Sequence, residues 1–293
     1  MSDMTESDGT GASAEAIEHH YDVGNGFYAT FLDPQMVYSC ALWEAGDSLE
    51  DAQLRKLDYH LEQVGAVGAR RLLDVGCGWG TLLRRATTRF AVRDAVGLTL
   101  SRAQHRYCAK QGLDRIEVRL ESWRDHAPPA RYDGIVSVGA FEHFARLGLA
   151  RDVRERGYRE FFARCWQWLE PGGRLSLQTI GYDNMDRGST SPFLSEVIFP
   201  ESDLPKLSEI AEASDGLFSI VTVRNDASHY EETCRQWLHR LRAHRDQAVQ
   251  LGGEPRYQQY VRYLTMSTMG FHLRNTSLLR IVLQRLDKGY RVS

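Results

Sequence analysis

This sequence has no long apolar run, no paired cysteines and no surplus of basic charge, and each absence closes off a class of function. No stretch of its 293 residues approaches the roughly 18 apolar residues of a membrane-spanning helix. Residues 1–13 are acidic and rich in Gly, Ser and Thr, without the apolar segment of a secretory leader, and read as a disordered tail. The five cysteines, Cys40, Cys77, Cys108, Cys165 and Cys234, are odd in number and scattered, with no C-x-x-C pair. That pattern argues against a disulfide framework and against structural zinc, so the expectation is a reducing cytoplasm and no metal site. A formal net charge of −3 supplies no global basic field to recruit nucleic acid or an anionic membrane. No internal repeat or low-complexity tract is present.

What remains, 42% hydrophobic and 26% charged, is an ordinary globular composition, long enough for one large core and a cap. The chain is organised around Arg71–Leu82, RLLDVGCGWGTL. Leu72, Leu73 and Val75 suit a buried parallel strand, and Gly76, Gly78 and Gly80 let the backbone approach a ligand where a Cβ would clash. Asp74, just before the glycines, can accept hydrogen bonds from a ligand or from loop amides. Such a turn binds nucleotides at the edge of a doubly wound sheet, and at this point dinucleotide and S-adenosylmethionine (SAM) readings both stand.

The strand–helix alternation continues through Ala95–Leu98, Ile116–Leu120, Tyr132–Val138, Arg174–Ile180, Phe218–Val223 and Leu278–Leu283, a doubly wound α/β pattern of seven strands. Residues 14–66 read as a helical N-terminal cap, with Ile17, Tyr21, Phe27, Phe31 and Leu32 in two short helices and an amphipathic scaffold helix over 46–66. Residues 67–293 form the core, interrupted by inserted lids at about 183–216 and 229–272, the second holding helices near 230–250 and 256–270. Helices are also expected at about 81–90 and 157–169, the latter closed by Pro171-Gly172-Gly173. Arg146–Arg156 reads as a solvated charged loop, with a substrate entrance or carrier-protein contact as the alternative.

Chemistry collects at the carboxyl ends of the strands. The second strand ends in Thr99-Leu100-Ser101 where a nucleotide fold usually places an acid for the ribose, leaving Thr99 and Gln104 to supply neutral hydrogen bonds. Ser122 and Trp123 follow the third strand, the indole placed to stack on an adenine. Glu142 and His143 follow the fourth, either as a solvated helix start or as catalytic groups. Tyr38-Ser39-Cys40 lies in a loop between aromatics, open to packing or to ligand contact.

Six ordered stretches, HHYDVGNGFYATFLDPQMVYSCALWE, LLDVGCGWG, VGLTLSRAQ, VGAFEHF, IFP with LP, and HYEETCRQW, make the chain resemble the cyclopropane-fatty-acid and mycolic acid cyclopropane synthase family over about Ile17–Arg285. The resemblance implies a class I, Rossmann-like SAM-dependent methyltransferase fold and enzyme. In that family GLTLS replaces the acidic strand end, so the missing ribose acid becomes a supporting feature. The implied SAM-binding residues are Tyr38, Ser39, Asp74, Gly76, Cys77, Gly78, Thr99, Gln104, Ser122 and Trp123. Family members hold bicarbonate near the transferred methyl with a cysteine, a glutamate, a histidine on strand five and a tyrosine. The implied catalytic residues here are Cys40, Glu142, Tyr230, His143 and Gln178, the last standing where cyclopropane-forming relatives usually carry histidine. Glutamine hydrogen-bonds an anion but cannot become a cation. A second departure is Gly24-Asn25-Gly26.

The implied reaction transfers a methyl or methylene group from SAM, with bicarbonate as a candidate second cofactor, to carbon of an unsaturated lipid or acyl chain through a carbocation. Glu142 and the rings of Trp123, Phe141, Tyr230 and Trp237 are the groups expected to stabilise that charge. An acyl-carrier protein or a membrane surface is a candidate partner. The alternative is a small-molecule natural-product C- or N-methyltransferase on the same scaffold.

Overall fold

The computed structural model describes residues 11–13, 16, 24–112 and 114–287. Residues 1–10 of the expected tail, and Ile17 and Tyr21 of the expected first helix, lie outside the described residues.

Among the described residues seven strands form one sheet: β1 Arg71–Val75, β2 Asp94–Thr99, β3 Ile116–Leu120, β4 Tyr132–Val138, β5 Leu169–Tyr182, β6 Phe218–Asn225 and β7 Thr276–Arg285. Their order is β3-β2-β1-β4-β5-β7-β6, and β7 runs antiparallel to both neighbours. The five parallel strands are the β-branched and leucine-rich runs, and the central ones are buried on both faces, as crossover helices require. The reversal between β3-β2-β1 and β4-β5 opens a crevice at the carboxyl ends of β1 and β4.

The helices are α1 Asn25–Tyr28, α2 Leu49–Gln63, α3 Thr81–Arg89, α4 Arg102–Lys110, α5 Arg151–Trp168, α6 Leu207–Ser214, α7 Ala227–Ala243 and α8 Arg245–His272. Helix α2 starts on a reciprocal cap: the Asp51 amide donates to the Ser48 hydroxyl at 3.2 Å, and the Ser48 amide donates to the Asp51 carboxylate at 3.2 Å. An aromatic cluster joins α1, α7 and α8 above the sheet, with Phe27, Tyr28, Phe31, Trp79, Trp237 and Tyr260 buried in it.

Several sequence expectations shift. The charged stretch is a solvated loop only as far as Ala150; from Arg151 it is helix, and Arg154 is buried with its guanidinium 3.0 Å from Glu209. Strand β5 begins at Leu169, before Pro171-Gly172-Gly173, which sits in a register shift against β4. The helix break in the second lid falls at Gly253, whose φ of +80° interrupts α8, ahead of Pro255. The first lid holds a 3₁₀ turn at Arg187–Ser189, a π turn at Phe193–Ile198 and α6. Residues 11–13 are tied down: the Ala12 amide donates to the His143 carbonyl at 2.8 Å, Arg146 Nε to the Gly11 carbonyl at 2.7 Å, and the Ser13 amide to Glu201 Oε2 at 2.8 Å.

Candidate active site

Two adjoining cavities open at the crevice. The first, of about 160 Å³, is lined by all ten residues expected around the cofactor. The turn after β1 makes it possible: Gly76 has φ +84°, and a Cβ there would lie 2.5 Å from the Ala140 Cβ. At Gly78, φ +56°, nothing lies within 4 Å of the Cβ position, so the backbone itself forms the wall. At the end of β2, the Thr99 hydroxyl donates to Gln104 Oε1 at 2.8 Å and accepts from the Ser101 amide at 3.1 Å, a neutral pair in place of a carboxylate. Trp123 is buried against Phe144 and Phe161, with the Arg124 guanidinium 4.4 Å from its ring centre. Asp74 is buried, which pushes its carboxyl up to about 7.

Among the wall residues that the sequence reading missed are Lys56, Gly11 and Ala12. Lys56, on the buried face of α2, donates from Nζ to Ser39 Oγ at 2.6 Å, and burial, reinforced by the charge of Arg280, brings its ammonium down to about 7. Gly11 and Ala12 close the wall from the N-terminal side. Asn25, in the departure from the family pattern, accepts from the indole N–H of Trp79 at 3.0 Å and ties the cap to the glycine turn. A carboxylate, an ammonium, open glycine backbone and an indole in one cavity match the amino-acid and adenine ends of SAM, so the wall fits that cofactor.

The second cavity, about 470 Å³, is mostly apolar and shares Tyr38, Ser39, Gly139 and His143 with the first. Glu142, His143, Gln178 and Tyr230 line it. Glu142 is held from below: the Ile180 amide donates to Oε1 at 2.6 Å, while Oε2 is buried with no hydrogen-bond partner. Burial pushes this carboxyl up to about 7, despite the Ile180 hydrogen bond. His143 Nδ1 lies 2.7 Å from Ser202 Oγ, and burial pushes the imidazole down to about 4, so it is neutral. The Tyr230 ring stacks on Phe271 at 4.6 Å, and burial pushes its hydroxyl well above the usual range.

Four expected groups are not on this wall, Trp123 among them because it lines the first cavity. Cys40 is fully buried behind it; Sγ donates to the Ala41 carbonyl at 3.2 Å, and burial raises the thiol to about 11, against the nearby Arg280 charge. Phe141 and Trp237 line neither cavity, because Phe141 stacks on Tyr158 at 4.6 Å in the core and Trp237 is enclosed between Phe31 and Tyr38. Bicarbonate therefore fits poorly: of the four ligands the family pattern supplies, the cysteine side chain points away and the histidine is Gln178, whose amide can donate a hydrogen bond but cannot become a cation, leaving it with Glu142 and Tyr230.

Behind Gln178 lies a polar network that the sequence reading also missed. Gln178 Oε1 accepts from Arg280 Nε at 2.9 Å and lies 3.2 Å from His60 Nε2, whose Nδ1 is 2.8 Å from Ser176 Oγ. Arg280, fully buried on β7, pairs with Asp226 and donates to the Cys40 and Ala41 carbonyls at 3.3 and 3.0 Å. A second network clasps the lid: Arg187 and Arg154 both meet Glu209, at 2.8 and 3.0 Å, and Arg187 meets Asp203 at 2.9 Å. The Asp203 amide donates to the Glu142 carbonyl at 3.1 Å, joining the clasp to the reacting end of the cavity.

Comparison with known proteins agrees with this geometry. The family model for mycolic acid cyclopropane synthetase matches residues 9–281. Cyclopropane mycolic acid synthase 2 of Mycobacterium leprae is 36% identical, over 92% of this chain and 93% of that protein. Hydroxymycolate synthase MmaA4 of Mycobacterium tuberculosis is also 36% identical, over 85% of each chain. Among solved structures, the cyclopropane synthase MmaA2 from Mycobacterium tuberculosis superposes with a TM-score of 0.85 at 31% identity, covering 94% of this chain and 99% of that one. The mycolic acid cyclopropane synthase CmaA1 complexed with SAH and CTAB gives a TM-score of 0.84 at 30% identity, with the same coverage.

Proposed function

The chain belongs to the mycolic acid cyclopropane synthetase family, and from that premise we propose that it uses SAM to add a methyl or methylene group to carbon of a long unsaturated acyl chain, of the mycolic acid kind for which its relatives are named. It is a SAM-dependent transferase with the seven-stranded methyltransferase fold. The observation that carries the substrate reading is the pair of cavities meeting at Tyr38, Ser39, Gly139 and His143, a polar one built around the glycine turn and a larger apolar one holding Glu142.

Asp74, Lys56, Ser39 and the glycine backbone would hold the amino-acid end of the cofactor, Thr99 and Gln104 the ribose, and Trp123 the adenine. The cofactor supplies an electrophilic methyl group on sulfur. A carbon–carbon double bond is a weak nucleophile, so the protein's part is to hold it in contact with that methyl across the shared wall and to keep water out. Methyl addition leaves a cation on the acyl chain, which the face of Tyr230 and the Glu142 carboxylate stabilise in an apolar surround. Loss of a proton from the new methyl closes a cyclopropane; loss from a neighbouring carbon leaves a methylated alkene.

The chain is delivered by a carrier protein or a membrane surface. Leu147, Met269 and Leu273, which line the apolar cavity yet are 41, 50 and 57% exposed, form the rim that supports this. Among the described residues no helix is long and apolar enough to cross a membrane. The cytoplasm suits the five unpaired, buried cysteines.

Incubation with SAM and unsaturated acyl substrates, read by mass, tests the proposal. The expected product is heavier by one CH₂, and proton NMR separates ring from branch. Methylation confined to compact amines or phenols would favour the small-molecule alternative and refute the acyl reading.

A further inference from the structure

Position 178 is where the family resemblance leads to the expectation of a histidine, and the structure sets the surroundings of the glutamine that stands there. Arginine only donates, so the Arg280 Nε contact at 2.9 Å fixes which end of the Gln178 amide is oxygen. That oxygen also faces His60 Nε2 at 3.2 Å, so Nε2 carries the imidazole proton and donates it. Nδ1 is then the acceptor, taking the Ser176 hydroxyl proton at 2.8 Å. A neutral ring is what the surroundings demand: burial first, then the charges of Arg280 and Lys56, push His60 well below its usual range. Both nitrogens are spoken for. The Gln178 nitrogen lies 3.5 Å from the Cys40 carbonyl, which takes one of its two N–H groups, and the residue lines the acyl cavity.

Resting on the transferase reading above, we propose that Gln178 is a specificity-determining residue that His60 and Arg280 lock in one orientation. It gives the acyl cavity a fixed N–H donor in place of a proton acceptor, so that Glu142 takes the substrate proton directly and no bicarbonate is needed. Every other acceptor near the reacting end is occupied or weak. The Cys40 thiol donates to a carbonyl, and His143 is bonded to Ser202 through Nδ1 while burial pushes its ring down to about 4, which makes it a weak base. Glu142 Oε2 alone among these groups is buried without a partner.

The step balances without a co-reactant. The alkene π pair forms the bond to the methyl carbon as the sulfur–methyl bond breaks and its electron pair stays on sulfur, giving SAH and a cation on the acyl chain. Glu142 Oε2 then takes a proton from the new methyl while the C–H pair closes the third ring bond, or from the neighbouring CH₂ while that pair forms a double bond. The Gln178 N–H and its supports hold the chain in register for one of these two protons. His60 and Arg280 touch neither substrate nor cofactor and are positioning residues.

Three measurements test this. In buffer depleted of carbon dioxide, the wild-type chain with SAM and an unsaturated acyl substrate should hold its turnover within about twofold when bicarbonate is restored; any larger rise overturns the inference. In ¹⁵N NMR of histidine-labelled protein at neutral pH, the His60 signal, identified by its loss in His60→Gln, should show a neutral ring protonated at Nε2. A ring protonated at Nδ1, or at both nitrogens, overturns the locked orientation. His60→Gln, whose amide still donates to Gln178, should keep the ratio of cyclopropane to methylated alkene. His60→Leu should change that ratio about threefold or more with the KM for SAM unchanged. Equal ratios in the two variants overturn the positioning role. A wild type that turns over no acyl substrate in either buffer, yet shows the Nε2-protonated ring, refutes the transferase reading and not the geometry.

Discussion

Replacing Glu142 by glutamine separates chemistry from architecture at this site. The substitution is nearly isosteric and keeps the oxygen that accepts from the Ile180 amide at 2.6 Å, so the turn at Phe141–His143 stays in place. What changes is the other oxygen, buried and without a partner, which becomes an NH₂ that cannot take a proton. General-base catalysis is worth about 10²–10⁴ in rate, so kcat should fall at least roughly a hundredfold, about 2.7 kcal/mol, with the Kd for SAH within about threefold. The pH profile gives a second reading. Because burial raises this carboxyl to about 7, kcat/KM should climb through pH 6–7 and level off above it, and Glu142→Gln should lose that limb. Stability runs the other way. A folded-state value raised above the unfolded one stabilises fully below the unfolded value of about 4.3 and is lost as pH rises through about 7, so the wild type, and not the variant, should soften across that window. Product formation by discontinuous mass assay and thermal melts across pH 5–8 check both. Near-normal turnover in Glu142→Gln would refute the base assignment.

Other perturbations follow from the same contacts. Gly76→Ala combines a left-handed backbone at φ +84° with a Cβ only 2.5 Å from Ala140, and should abolish SAH binding by calorimetry while costing about 2 kcal/mol or more; adding Ala140→Gly should relieve the clash but not the backbone strain. Asn25→Ala removes the acceptor of the Trp79 indole and should cost about 1 kcal/mol in chemical denaturation, with weaker cofactor binding. Glu209→Gln breaks the lid clasp and should cost about 3 kcal/mol at neutral pH. Burial works against Glu209, but hydrogen bonds from Arg187, the Lys206 amide and Arg154 hold it at about 2, so its contribution is present above the unfolded value and is lost as pH falls toward 2. The variant's stability should therefore decline less steeply than the wild type's in acid.

Strand positions and the glycine turn of the cofactor wall were legible because each is carried by a local signal. Buried parallel strands write themselves as apolar runs, and left-handed turns as glycines. All ten residues that the family resemblance implied for the cofactor line one cavity, although only the strand and glycine positions among them carry a local signal. Lys56 and His60 were not legible, since both sit on the inward stripe of an amphipathic helix, where periodicity reports a buried face and not what a buried polar group bonds to. Arg280 lies within an apolar strand, and its partners Gln178, Asp226 and Cys40 stand 102, 54 and 240 residues away in sequence. The Cys40 side chain turned away from the cavity because its thiol found a backbone carbonyl one residue on, a choice no motif encodes. Arg154 looked like surface charge because its partner Glu209 arrives from the lid, 55 residues later.

The short segment Gly11-Ala12-Ser13 touches the cofactor cavity wall, the backbone of the catalytic turn and Glu201 of the lid. A latch fastened to both doors imposes a sequence of exits. Displacement of this segment is coupled to the lid through Glu201, and the expected release order is lipid first and SAH last. Product-inhibition patterns would then show SAH competing with SAM and the modified acyl chain not, and cutting the chain after Ser13 should make release random.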